Sequence, residues 1–162
     1  MMSELSAPVL SRADLVARVA GERSAGAKII LANGCFDMIH AGHIRYLQGA
    51  KNLGGFLVVG LNSDAQVRDL KGNGRPFIDE RERAEIIAAL RCVDAVTIFN
   101  EATVNELIDA IRPDLHAKGT DYTVDTVPER ERVLSYGGRV VIVGDPKDHS
   151  SSDLIRAVRG RV

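Results

Sequence analysis

Residues 28–43 read KIILANGCFDMIHAGH, and this stretch decides the fold. Residues 28–32 form a mostly apolar run that ends at Asn33 and Gly34, which is typical of a buried strand followed by a turn. Four further runs have the same character and predict four more strands, over residues 56–61, 93–99, 114–117 and 139–143. Because these runs are continuous rather than alternating, both faces of the sheet are predicted to be buried, as in parallel sheets.

Helical patterns lie between the predicted strands. They cover residues 42–53, 79–91, 104–111, 128–136 and 150–159, and a further helix is predicted over residues 11–24. Alternating strands and helices with right-handed crossovers predict an α/β fold, a doubly wound, Rossmann-like sandwich around a parallel sheet of about five strands. We expect an N-terminal helical extension over residues 1–27 and a single domain over residues 28–162. Ligands in such a fold bind beyond the carboxyl ends of the strands, so the turns after the strands form the candidate site.

The composition is that of an ordinary globular chain. The 162 residues carry 21 Lys and Arg against 22 Asp and Glu, a net charge of −1 that gives no global attraction to nucleic acid or acidic membranes. The apolar runs are far shorter than a membrane span. The two cysteines, Cys35 and Cys92, have no paired-motif spacing, and we recognise no signal peptide. These features predict a cytoplasmic protein and exclude the disordered, secreted and membrane classes.

The turn after the first predicted strand carries two histidines around a glycine, His40, Gly42 and His43, at the predicted start of a helix. Unpaired backbone N–H groups and the positive end of the helix dipole attract anions there, and Gly42 lets a phosphate approach the backbone. The imidazoles are suited to donate to phosphate oxygens as their charge develops. The pattern is neither the G-x-G-x-x-G of dinucleotide folds nor a P-loop. Two alternatives stay open: histidines that only cap the helix, and a zinc site with Cys35, which lacks a full ligand set.

Three further turns favour a phosphate site. The glycine-rich loop at residues 71–76 carries Lys71 and Arg75, two cations suited to a loop that closes on a triphosphate. The turn at residues 118–122 begins with a lysine and a glycine after the fourth predicted strand. The turn at residues 149–155 places serines at the start of the last helix, where hydroxyls and unpaired N–H groups bind anions. Each turn has a structural alternative, respectively a solvated surface turn, an ordinary strand exit and a serine helix cap.

The chain resembles the H-x-G-H nucleotidyltransferase superfamily, in its cytidylyltransferase-like branch. The residues that carry this resemblance are 34–37, 40–43 and 150–155. Within the branch the chain is most similar to the adenylyltransferase domain of ADP-heptose synthase, through residues 33–37, 62–65, 71–72, 75–76, Arg83 and 118–122. The resemblance covers residues 28–158 in the family's order. The departures are Thr120 where a second glycine is usual, the all-serine segment 150–152, and the lack of a sugar kinase domain within the 162 residues.

The resemblance implies that residues 28–162 are a nucleotidyltransferase domain. It would transfer a nucleoside monophosphate from a nucleoside triphosphate, by preference ATP, to a sugar phosphate, by preference heptose 1-phosphate, and release pyrophosphate. Mg²⁺ is implied as the cofactor, carried by the triphosphate and not by protein ligands, and a homodimer is implied as the assembly. The implied catalytic residues are His40, His43 and Lys71, and the implied acceptor-binding residues are Asp37 and Arg75. The implied nucleotide-binding residues are Asn33, Gly34, Cys35, Phe36, Gly42, Arg83, Lys118, Gly119, Asp121, Ser150, Ser151 and Ser152.

Two other functions stay open from the sequence. A CTP-dependent cytidylyltransferase acting on glycerol phosphate, or on a related polyol phosphate or phosphonate, shares the histidine turn and the final serine turn. Such short enzymes typically lack the Lys-Gly and Arg-Pro pairs of residues 71–76. A catalytically silent nucleotide-binding regulatory domain would use the same fold, but a protein that only binds would not need His40, His43 and Lys71 together. The fold alone does not decide among these functions.

Overall fold

Five parallel strands form one sheet in the computed structural model, which describes residues 5–146 and 150–161. Every predicted strand is present, with its boundaries shifted by one or two residues. The order across the sheet is β3-β2-β1-β4-β5, so the predicted parallel α/β sandwich is confirmed. The strands are β1 (Ile29–Gly34), β2 (Phe56–Asn62), β3 (Ala95–Phe99), β4 (Leu115–Lys118) and β5 (Arg139–Ile142).

Seven α-helices connect or flank the strands within the described residues. Six were predicted, and the one that was not is α3, which begins after the N-cap Ser63 and ends at Lys71. Only Val67 of this helix is buried, so its sequence has no apolar periodicity from which a helix could be predicted. Lys71 therefore ends a helix instead of starting a loop. The helices are α1 (Arg12–Ser24), α2 (Ala41–Lys51), α3 (Asp64–Lys71), α4 (Glu80–Ala88), α5 (Asn105–Ile111), α6 (Arg130–Ser135) and α7 (Ser151–Arg159).

The central strands are apolar throughout because they serve two cores at once. Successive side chains of a strand point to opposite faces. Ile30 accordingly lies in the core cluster that includes α2 and α4, whereas Ile29 and Leu31 lie in the cluster beneath α1 and α5. Leu15 and Val19 of α1 are completely buried in this second cluster, so α1 packs directly on the sheet.

The sheet reverses its strand order at β1, which has β2 on one side and β4 on the other. The connection after β1 leads to β2 on one side and the connection after β4 leads to β5 on the other, which opens a crevice beyond the carboxyl ends of β1 and β4. The turns singled out in the sequence meet at this edge. None of the helices in the described residues is both long and apolar enough to cross a membrane.

Candidate active site

A cavity of about 590 Å³ occupies the crevice at the carboxyl ends of β1 and β4. The histidine turn forms one wall, the turn after β4 faces it, and the start of α7 closes one end. Most of the site residues predicted from the sequence line this cavity. They are Asn33, Gly34, Cys35, Phe36, His40, Gly42, His43, Lys71, Lys118, Gly119, Asp121, Ser150, Ser151 and Ser152.

The two histidines at the start of α2 are held by the backbone that they cap. Nδ1 of His40 accepts a hydrogen bond from the Gly42 N–H (3.1 Å), and Nδ1 of His43 accepts one from the His40 N–H (3.2 Å). An amide N–H always donates, so neither Nδ1 carries a proton and the proton of each neutral ring is on Nε2. The capping interpretation is thus confirmed. It also leaves both rings in the form that donates from Nε2.

Close packing fixes the direction of these rings. The His40 and His43 rings stack with their centroids 3.9 Å apart, and the Phe36 ring meets His43 edge-on at 5.4 Å. A Cβ at Gly42 would lie 2.9 Å from Cε1 of His40, so only glycine leaves that ring in place. Phe36 itself adopts a left-handed φ of 50°, which is uncommon for a non-glycine residue and is tolerated here because the ring is buried.

Tyr46 of α2 lines the cavity and joins its two walls. Its hydroxyl donates to the Ala117 carbonyl of β4 (2.7 Å) and lies 3.4 Å from the Asn33 backbone nitrogen of β1. Burial raises the pKa of this tyrosine well above its usual value, so it stays a neutral hydroxyl. Tyr46 was not predicted as a site residue, because its role depends on strand order and not on a local motif.

The facing wall presents a cation with an acidic neighbour. Lys118, at the end of β4, is almost completely buried, and its Nζ lies 3.6 Å from Oε2 of Glu129 and 4.7 Å from the centre of the Tyr122 ring. Glu129 is eleven residues further along the chain and was not recognised from the sequence. Glu129 and Tyr122 together hold the Lys118 side chain at this wall of the cavity. Asp121 also lines this wall.

The serines before and within α7 divide into two roles. Ser150 caps the helix, with its Oγ accepting from the Asp153 N–H (3.1 Å), so this capping interpretation is confirmed. Ser151 Oγ donates to the Asp37 carbonyl (2.7 Å) and so fastens α7 to the histidine turn. Ser152 is exposed at the cavity. His149, which begins the predicted turn, lies outside the described residues.

The positions of Asp37 and Arg75 do not fit the acceptor-binding roles implied by the resemblance, since neither lines the cavity. The Asp37 carboxylate is buried below it and accepts from Arg75 Nε (2.7 Å) and from the N–H groups of Phe77 and Ile78. Burial alone would raise the pKa of Asp37, but these hydrogen bonds outweigh it and lower the pKa. The two residues bind each other because a buried charge needs a partner.

Arg83 likewise lies beneath the cavity and not in it, although the resemblance implies nucleotide binding. Its side chain is completely buried. It donates to the carbonyls of Cys35 (2.6 Å), Asn62 (2.9 Å) and Ile78 (2.9 Å), and to the Asp64 carboxylate (2.7 Å). One guanidinium thus joins the turns after β1 and β2 to the loop before α4.

Cys35 lines the cavity but is not set up as a nucleophile or metal ligand. Burial raises the pKa of its thiol, against the opposing effect of nearby cations, so the thiol stays protonated at neutral pH. The described residues contain no group of three or more His, Cys, Asp and Glu side chains arranged to hold a metal ion. The hydrogen-bond donors that line the cavity are N–H groups and cationic side chains. Groups of this kind bind phosphates.

The model of the cytidylyltransferase-like family matches residues 31–157 of this chain. The bifunctional protein HldE of Pelobacter propionicus is 49% identical over 159 residues, which are 98% of this chain and 33% of that protein. The bifunctional protein HldE of Syntrophotalea carbinolica is 50% identical over 140 residues, 86% of this chain and 29% of that protein. The chain thus spans about a third of the length of these relatives.

Two solved structures share the fold. The lipopolysaccharide core biosynthesis protein from Thermoplasma volcanium is 30% identical, with a TM-score of 0.65 over 75% of this chain and all of that one. Pantothenate synthetase from Thermus thermophilus is only 17% identical, with a TM-score of 0.65 over 96% of this chain and 70% of its own, and shows the fold alone. The family match covers most of the chain and includes the histidine turn and the last helix. The chain belongs to the cytidylyltransferase-like family.

Proposed function

We propose that this chain is a nucleotidyltransferase that transfers AMP from ATP to heptose 1-phosphate, or to a closely similar sugar 1-phosphate, and releases pyrophosphate. One observation carries the proposal: residues far apart in the sequence bring two Nε2 donors and two lysines to one cavity at the strand switch. The resemblance to the adenylyltransferase domain of ADP-heptose synthase favours ATP and a heptose phosphate, and the identity of 47–50% to bifunctional proteins HldE over most of the chain supports the proposal.

The reaction is an in-line exchange at the α-phosphorus. An anionic oxygen of the acceptor phosphate attacks that phosphorus, the bond to the bridging oxygen of the β-phosphate breaks, and pyrophosphate leaves with the electron pair. The nucleophile is already deprotonated, so no proton has to be removed. Positioning of two polyanions and neutralisation of their charge is therefore the main demand on the protein.

His40 and His43 meet this demand by donating from Nε2. Their Nδ1 atoms are occupied by backbone N–H groups, so rotation of either ring away from the cavity would break a hydrogen bond at the start of α2. Donors held in this way need no reorganisation as negative charge grows on the α-phosphate oxygens. Lys118 adds a positive charge on the opposite wall, and Lys71 adds one from the end of α3.

Mg²⁺ fits this site as a companion of the triphosphate. No cage of three protein ligands exists among the described residues, so the ion would take its ligands mainly from phosphate oxygens and water. When bound, it supplies charge neutralisation on the triphosphate. Asp121 and Glu129 are the cavity carboxylates on the Lys118 wall that could hold its water ligands.

The test is a pyrophosphate-release screen with ATP, CTP, GTP and UTP against a panel of sugar 1-phosphates and polyol phosphates, in the presence of Mg²⁺. We expect ATP with a heptose 1-phosphate to give the largest kcat/KM. Equal ATP and CTP are then mixed with the preferred acceptor, and the products are identified by mass. A predominant CDP-sugar would contradict the choice of base, and no product with any pair would contradict nucleotidyl transfer.

The same resemblance favours a homodimer, and the use of a nucleoside triphosphate favours a cytoplasmic location. Light scattering at micromolar concentration tests the assembly, because one chain has a mass of 17.5 kDa. A species of twice that mass is expected. A single species at the monomer mass would contradict the dimer without affecting the proposed reaction.

A further inference from the structure

A buried histidine lies directly beneath the cavity and contacts one of its lining residues. His116 is in β4, two residues before Lys118, and its side chain is completely inaccessible. Its Nε2 lies 2.9 Å from Oδ1 of Asn33, which is in β1 and lines the cavity. Its Nδ1 is buried and makes no hydrogen bond within the described part of the chain.

The contact identifies the atom that carries the proton. An amide oxygen can only accept, so Nε2 of His116 must donate. Burial, together with the nearby charge of Lys118, lowers the pKa of His116 to about 3, and the ring is neutral at physiological pH. The neutral ring therefore has its proton on Nε2 and an unpaired acceptor at Nδ1.

Packing alone does not explain a histidine at position 116. An unpartnered buried acceptor costs stability, and an apolar side chain would fill the same space without that cost. What the imidazole provides is a fixed direction for the Asn33 amide. The oxygen and the nitrogen of that planar amide diverge from the same carbon, so a bond that holds Oδ1 at His116 leaves the Nδ2 donors directed away from His116, on a residue that lines the cavity.

We propose that His116 is a positioning residue, which holds the Asn33 amide so that its N–H groups donate to a phosphate oxygen of the bound substrates. This inference rests on the proposed function for the nature of the ligand. The opposite orientation of the amide would aim a carbonyl oxygen at a polyanion, which is unfavourable. Asn33 is the ligand-contacting member of the pair, and His116 acts only through it.

A matched pair of substitutions separates this role from packing. In His116→Gln the side-chain amide nitrogen reaches the position of Nε2 and can still donate, whereas His116→Met has the same length and no donor. We expect His116→Gln to keep most of the wild-type kcat/KM and His116→Met to lose about tenfold, as for one hydrogen bond to a charged group. Melting temperatures are measured for both variants. Equal losses of kcat/KM in the two variants at equal stability would overturn the proposal.

A double-mutant cycle with Asn33→Ala tests whether the effect passes through Asn33. Once Asn33 has lost its amide, His116→Met should cause no further loss of kcat/KM. Independent, additive losses would overturn the proposal. Long-range proton–nitrogen NMR of the wild-type imidazole provides a readout that does not depend on turnover. We expect the proton of His116 on Nε2, and a proton on Nδ1 would also overturn the proposal.

The failure of the proposed function would be recognised separately. If the wild-type protein releases no pyrophosphate with any substrate pair, the same cycle is measured as affinity for inorganic pyrophosphate by calorimetry. Affinity that falls in His116→Met and in Asn33→Ala, without adding in the double variant, would support the positioning role in a protein of another activity. Affinity unchanged in both single variants would overturn it.

Discussion

Two layers of polar groups lie at the same edge of the sheet, and they are built differently. In the cavity layer, His40, His43 and Lys118 are held by a few neighbours and line the cavity. In the layer beneath, Asp37 and Arg83 are saturated by protein partners. Both layers consist of residues that carry the family resemblance. A residue's place in a family motif therefore does not tell whether it contacts the ligand or holds the turn that does.

The two layers use different types of polar side chain, and the number of N–H donors in each type explains the difference. A guanidinium has five N–H donors in a fixed plane, so Arg83 can donate to three carbonyls and a carboxylate at once. A lysine or a neutral imidazole has fewer donors and is easily aimed at one anion. If this division is correct, substitutions in the lower layer affect stability first, and substitutions in the upper layer affect turnover first.

The largest expected effect is the loss of stability in Arg83→Met. The substitution leaves three carbonyls and the half-buried Asp64 carboxylate without their donor. Each buried acceptor that loses its partner costs about 1–3 kcal/mol, so we expect a loss of about 3–5 kcal/mol. Urea unfolding measures the free energy. Arg81→Met, at an exposed position of the same helix, is the matched control and should change little. An Arg83→Met protein as stable as the control would place Arg83 in the upper layer after all.

The second effect is a loss of turnover in His43→Ala by about 10²–10³, the size expected for one donor to a developing oxyanion. His43→Asn is the sharper variant, because its amide oxygen can accept the His40 N–H in place of Nδ1 while the Nε2 donor is lost. His43→Asn should keep a melting temperature close to that of the wild type, whereas His43→Ala also loses the capping acceptor and should melt somewhat lower. Full kcat in a folded His43→Asn protein would mean that the ring only caps α2.

A third effect, of about 2 kcal/mol, is expected for Asp37→Asn, which loses charge-assisted hydrogen bonds from Arg75 and the following backbone. Because the folded pKa of Asp37 is lowered, its stabilisation is fully present above the unfolded value of about 3.9 and is lost as the pH falls through the folded pKa. We measure the free energy of unfolding in urea at neutral pH and near pH 3. The difference in this free energy between wild type and variant should become smaller at the lower pH. A difference in free energy of unfolding that becomes larger at low pH would show that Arg75 does not pair with an ionised Asp37.

The smallest effect is expected for Lys71→Ala, at the exposed end of α3. We predict that kcat falls by about tenfold with little change in nucleotide affinity, because an exposed cation completes the site only when the adjoining glycine loop closes. Arg68→Ala removes an exposed cation from the same helix outside the cavity and serves as the control. A loss of affinity alone would assign Lys71 to ground-state binding.

The strands and the cavity wall could be predicted because their signals are local. A buried parallel strand such as β1 must be apolar on both faces, and the turn that follows it carries the His40, Gly42 and His43 pattern within four residues. Strand order then follows from general rules of α/β topology, so the turns could be expected to meet at one edge.

The remaining features depend on contacts that no local pattern contains. Helix α3 is short and buries only Val67, so its apolar periodicity is too weak to predict a helix. Glu129 and Lys118 meet across a turn whose path is irregular, and Asn33 meets His116 only because β4 lies beside β1. The role of Arg83 is hidden for another reason: three of its four partners are main-chain carbonyls, and every residue has one.

The hydrogen bond from Ser151 to the Asp37 carbonyl joins residues that are 114 positions apart. Closing a contact over so long a stretch of chain is entropically costly, so it forms late relative to contacts within each strand–helix unit. On a ribosome the histidine turn emerges long before α7 is synthesised. A nascent chain can therefore hold most of the sheet while its cavity still lacks the end that α7 forms.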